Sequence, residues 1–329
     1  MSVPFLNLDG IPTDTPPEDG AIYFALDPQG AWYPNCDTFL YDIDSACVTL
    51  HDSFAKSLFG GLEQYHAFLP AAPEFLSTAG MNSESTVSRA DFAKLVEQFP
   101  TDRPFNLALY LYDCRKLVSG IQECSKEVMQ LQGEFYAVLN LEEFFFPSID
   151  EPDGIRYVSS PVVTKLTTLL GGVFIRLHSL LDYVTKVAYE IENLQTSFDS
   201  YPKLSAKSIL YGDRKRISLN KSPGTLFEPC TLITEIEAVR NHLIHDGLLD
   251  DLPKAYRVIR DQACVEKFVL FPDRTDEGHF EKFKNRTLFY GTEDKINQRL
   301  PDLVIDFMRR LHATTKALQA QIDPPNEDG

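Results

Sequence analysis

Residues 230–249 read CTLITEIEAVRNHLIHDGLL. Leu232, Ile233, Ile236, Val239 and Leu243 recur at steps of three and four, the period of an amphipathic helix. A threonine near the start and Gly247 near the end supply boundary signals, so the reading predicts a helix over 230–247. Its C-terminal end is crowded with polar groups: Arg240, Asn241, His242, His245 and Asp246. A helix that only packed a core has no need of Arg-Asn-x-x-x-His there.

The chain has 15 Arg, 7 His and 11 Asn in 329 residues. Chance therefore gives roughly 0.3 matches to Arg-x4-His, and about 0.01 once Asn must follow the Arg. A second bare match, Arg274 to His279, lies in a turn-rich stretch with Gly278 and lacks the Asn. Only Arg240 also stands on an apolar-periodic helix.

RNHLIH followed by Asp-Gly resembles the Arg-x(4–6)-His signature of HEPN domains, in its Arg-Asn-x-x-x-His form. The likeness is specific over about ten residues and is accompanied by helical patterning over 155–322. It does not reach the first hundred residues. It implies an all-α, antiparallel helical bundle and, as in many members, a dimeric ribonuclease needing no metal or cofactor. Such proteins act in toxin–antitoxin, phage-defence or CRISPR-linked systems, so the implied partners are RNA, a second copy, and an antitoxin or defence protein. HEPN toxins paired with a nucleotidyltransferase commonly carry a Tyr two positions after the motif His; Gly247 stands there in this chain.

Metal-free RNA cleavage needs a base for the 2′-hydroxyl, an acid for the leaving 5′-oxygen and positive charge on the phosphorane. Imidazole titrates near neutrality, so His245 can be base or acid. Arg240 can hold the phosphate through its planar fork, and Asn241 can orient His245 or the phosphate. The residue types permit these roles; the resemblance is what assigns them. In a regular helix Asn241 and His245 share a face, whereas Arg240 and His245 stand about 140° apart. Two copies facing across a two-fold axis would gather two Arg and two His into one cleft. The helix dipole and Asp246 favour the charged form of His245.

The plainer alternatives are definite. Arg and His near a helix C-terminus can simply cap carbonyls and suit the dipole. His242 is expected as a solvated neighbour. His178 and Asp182, four apart, are either a surface pair or partners that orient the motif. Arg214-Lys215-Arg216 is either a solvated loop or a set of phosphate contacts. No His or Cys spacing suggests a metal, and residues 1–150 show no Gly-rich phosphate loop or nucleotidyltransferase signature.

The net charge of −17 disfavours nucleic acid only at first sight. Residues 1–150 carry 7 Lys/Arg against 22 Asp/Glu, and residues 151–329 carry 24 against 26. RNA can therefore approach the C-terminal half. The acidic first half leaves open a second reading, a non-catalytic HEPN-like scaffold that binds a protein partner. The six cysteines are scattered, the N-terminus lacks signal-peptide features and no apolar run reaches membrane length, which together predict a reduced, cytoplasmic protein without a membrane partner.

The rest of the chain reads as mainly α with small β-hairpin insertions. Expected are an arm ordered by contact or a loose tail over 1–20, a hairpin at 21–34, a helix from Asp37 to Gly60-Gly61, a loop over 70–87 and a short helix from Ser88 through Phe99. Long helices follow at 105–145, ended by Pro147 and SIDEPDG, and at 161–195. After an irregular 196–229 come the motif helix, a short helix at 255–264, a hairpin from 265–271 and 287–290, and a closing helix at 295–322. The predicted organisation is an acidic region, 1–100, a HEPN-like bundle, 101–322, and a polar tail, 323–329.

Overall fold

A computed structural model describes residues 3–18, 20–72, 87–98, 103–145, 151–291 and 294–323. The protein is mainly α, with two small three-stranded antiparallel sheets among the described residues. The helices are α1 (Leu40–Phe59), α2 (Leu62–Phe68), α3 (Arg89–Gln98), α4 (Arg103–Leu141), α5 (Pro161–Glu192), α6 (Thr231–Asn241) and α7 (Ile296–Ile322). Most of the 70–87 loop, Phe99, Pro147, the start of SIDEPDG and nearly all of the polar tail lie outside the described residues.

The chain forms two compact units. The first holds Met1–Leu40, Cys124–Ser179 and Pro229–Arg310; the second holds Tyr41–Glu123, Leu180–Glu228 and Leu311–Gly329. Neither begins or ends at residue 100, because α4, α5 and α7 each contribute to both.

The long helices follow their apolar stripes. On α5, Val163, Leu166, Leu170, Val173, Leu177, Leu180, Val184, Val187 and Ile191 are all buried. Ser160 starts the helix by accepting the Val163 amide at 3.3 Å. On α7, Ile296, Leu300, Leu303, Phe307, Leu311 and Leu318 turn inward. Ser88 accepts the Asp91 amide and donates to its carboxylate, the capping expected ahead of α3.

In the first unit the predicted hairpin is present, as β2 (Tyr23–Leu26) and β3 (Trp32–Pro34), with β1 (Leu6–Asn7) added beside β2. Asp27 closes its turn by accepting the Gln29 and Ala31 amides. The sheet lies on α4 at Gly133, where a Cβ would come within 2.1 Å of the Trp32 carbonyl. Asn140 of α4 replaces a missing strand: its side chain accepts the Asn7 amide and donates to the Asn7 carbonyl, both at 3.0 Å.

The second sheet corrects the prediction. Residues 255–264 are not a helix; Ala255–Arg260 is β5, paired antiparallel with β4 (Gly154–Val158) and β6 (Ala263–Phe268). Ala255, Arg257 and Ile259 face inward with strand periodicity, and the charge of Arg257 hides the alternation. Burial is possible there because Glu151 pairs with the guanidinium and the Phe145 ring lies 4.5 Å from it. The turn is Asp261-Gln262, both at positive φ, without a glycine. The Asp153 carboxylate accepts both of their amides, steadying a turn the local sequence does not announce. Residues 287–290, the expected return arm, form no strand.

Candidate active site

The motif helix starts at Thr231, with Cys230 as its N-cap and no side-chain cap. The 273–281 loop closes over this end: Thr231 Oγ1 donates to the Asp276 carbonyl, and Gly278 sits where a Cβ would lie 2.6 Å from the Thr231 carbonyl. Gly278 also has φ +90°, so the position demands glycine twice over. Ile233, Ile236 and Val239 are buried, as the period predicts.

A charged clamp shares that buried face. Glu235 is gripped by Arg274 and by Arg299, whose Nη2 lies 2.8 Å from Oε1. Asp294 contacts both arginines, at 2.9 and 3.3 Å. Two carboxylates and two guanidiniums thus compensate one another and tie α6 to the loop and to α7. Arg274, the arginine of the second Arg-x4-His match, is held inside this network.

The regular α-helix stops at Asn241, and His242–Asp246 form a π-turn closed by the Gly247 amide on the His242 carbonyl at 3.0 Å. A π-turn bonds residues five apart and recurs at functional sites. Arg240 stands in the last turn of the regular helix, and His245 lies within the π-turn. Gly247 then leaves at φ +111°.

Arg240 is half-buried and donates from Nη1 to Asn241 Oδ1 at 2.9 Å. Asn241 thus orients the arginine. His245 is exposed and, among the described residues, has no hydrogen-bond or ion-pair partner. The Asp246 carboxylate, expected beside His245, lies 3.5 Å from His242 Nδ1 instead. His242 itself corrects the solvated reading. It is buried, its Nε2 lies 3.1 Å from the Leu248 carbonyl, and its ring packs edge-on against Phe280. It latches the π-turn to the loop that follows. The three-residue step from Val239 was the signal for it.

The other candidates are distributed. His178 is half-buried in the motif's unit. Asp182 belongs to the second unit, where its carboxylate accepts the Tyr211 amide at 2.8 Å. Arg214, Lys215 and Arg216 close a short 3₁₀ turn in that same unit. Arg214 stacks over the Tyr211 ring, Arg216 donates to the Tyr189 hydroxyl at 2.8 Å, and Lys215 is exposed. Among the described residues no group of three or more His, Cys, Asp or Glu is arranged to hold a metal, and no helix is long and apolar enough to cross a membrane.

On the inner side of the π-turn lies a cavity of about 410 Å³, lined by Leu243, Leu248, Leu249, Gly171 and Phe271 among others. Tyr290 closes one wall by donating to the Leu249 carbonyl; burial and the nearby Asp250 push its hydroxyl far above the ordinary range, which keeps it a donor. No family model, curated protein or solved structure matches the chain.

Proposed function

We propose that the chain is a HEPN-type endoribonuclease, metal-independent and dimeric, acting on RNA in the cytoplasm in a toxin or phage-defence role. The observation that carries this reading is the pairing of an exposed, unpartnered His245 with an Arg240 whose guanidinium Asn241 already holds. An exposed imidazole with no protein partner is open to substrate, as a proton-transferring group must be. The three long helices are, in this reading, the antiparallel HEPN bundle.

In the reaction, a neutral His245 takes the 2′-hydroxyl proton, the 2′-oxygen attacks phosphorus and the P–O5′ bond breaks. A protonated His245 of the second copy gives its proton to the departing 5′-oxygen. Arg240 neutralises the phosphorane. The products are a 2′,3′-cyclic phosphate and a 5′-hydroxyl. Ile244, Leu248 and Leu252 are about half-exposed or more around the motif, an apolar rim suited to a two-fold contact.

The test is incubation of wild type and His245→Ala with tRNA and total RNA in EDTA, followed by end-group analysis. Cyclic-phosphate ends that appear with wild type and fall by about 100-fold or more in the variant are expected. Undiminished cleavage by His245→Ala would end the proposal. The charge asymmetry of residues 1–150 favours one second reading, a HEPN-like scaffold that docks a basic protein. It predicts no cleavage of any RNA and a stable complex in a pull-down.

A further inference from the structure

The cavity behind the π-turn is large enough for a drug-sized molecule, and its wall specifies which kind. Among the described residues Lys254 is the one cationic side chain in the lining, and all three of its donors are engaged: Nζ lies 2.8 Å from each Asp250 oxygen and 2.9 Å from the Leu252 carbonyl. It offers nothing to an anion. The threonine hydroxyls on α5 are directed into their own helix, Thr164 onto Ser160, Thr167 onto Val163 and Thr168 onto Thr164. Tyr290 donates to Leu249. The lining side chains therefore present apolar surface and acceptor oxygens, with their donors already taken.

Space is left in one place by sequence. A Cβ at Gly171 would meet Leu243 at an ordinary 3.6 Å, so the backbone does not require glycine there; its absence of side chain keeps the cavity open. Leu243 lies inside the π-turn, between Arg240 and His245. Anything that fills the cavity presses on that turn from within.

We propose that the cavity binds a small, uncharged, predominantly apolar molecule whose polar groups donate hydrogen bonds, and that its occupancy sets the shape of the turn carrying His245. That occupancy would tune RNA cleavage rests on the proposed function; the binding itself does not.

N-phenyl-1-naphthylamine is a suitable probe, being neutral and apolar with one N–H donor. Its fluorescence on titration with the full chain should rise saturably to one site per chain. 1-Decanol should displace it, and decanoate should not at equal concentration. Gly171→Leu, with an unchanged circular-dichroism spectrum, should bind about ten-fold more weakly or worse. Hydrogen exchange of the wild type with saturating 1-decanol should slow in peptides covering 164–175 and 243–254. That measurement and the displacement pair need no variant, so they decide the matter even if Gly171→Leu does not fold. Non-saturable binding, equal displacement by decanoate, or protection elsewhere overturns the proposal. A protein that binds the probe but cuts no RNA keeps this site and loses the proposed function.

Discussion

Glu235, only 3% exposed, stands with an oxygen 2.8 Å from the Arg299 guanidinium and a second arginine, Arg274, on its other side. The motif helix is thus held by charge as well as by its apolar stripe. Removing one member of a buried network leaves the rest uncompensated, which costs more than the network contributes intact. Glu235→Ala should destabilise the protein by about 3 kcal/mol, read from urea denaturation. A loss under about 0.5 kcal/mol, the level of an ordinary surface substitution, would show that the clamp carries no weight.

Asn241 is exposed and accepts from Arg240, so under the proposed function its substitution should affect cleavage and not folding. Asn241→Ala should leave the melting temperature unchanged and lower kcat for RNA cleavage by about 10- to 100-fold, since the arginine loses its set direction. Cleavage at the wild-type rate would remove Asn241 from the site.

The exposed Ile244, Leu248 and Leu252 mark where the proposed dimer can be broken. Ile244→Asp with Leu248→Asp puts two charges on the apolar rim and touches none of the buried stripe. Light scattering should show a dimer for wild type and a monomer for the double variant, with cleavage lost alongside. A monomer that cuts RNA normally would refute the shared cleft.

The helical part of this fold was legible because apolar residues recur at helical steps, and every predicted stripe position on α5 is buried. The motif was legible because Arg240, Asn241 and His245 lie together in sequence. What sequence concealed depends on distant partners. Arg257 interrupts the alternation of β5 and is made tolerable by Glu151, and the Asp261-Gln262 turn is steadied by Asp153. Glu235 looks like a solvated helix residue until Arg274 and Arg299, 39 and 64 residues away, are brought to it. The π-turn that follows Asn241 has no local signature in the sequence, although the burial of His242 does, in its three-residue step from Val239.

Glu190 offers a pH test confined to the second unit. Its side chain is fully buried and accepts from the Ser205 amide at 3.2 Å, the Ala206 amide at 2.7 Å and the Tyr110 hydroxyl. Burial raises its carboxyl above the ordinary 4.5, and the hydrogen bonds from Tyr110, Ala206 and Ser205 offset only part of this. A folded state that holds the proton more tightly than the unfolded chain gains stability at low pH. That gain is complete below about 4.5 and is lost as pH rises through the higher folded value. Glu190→Gln cannot titrate there. The stability of wild type minus that of Glu190→Gln, from urea melts at pH 4 and pH 7, should therefore be larger at pH 4. The subtraction largely cancels the repulsion of the −17 net charge, which both proteins share to within one unit. A difference that grows toward pH 7 would mean that the three hydrogen bonds, and not burial, set the proton affinity of Glu190.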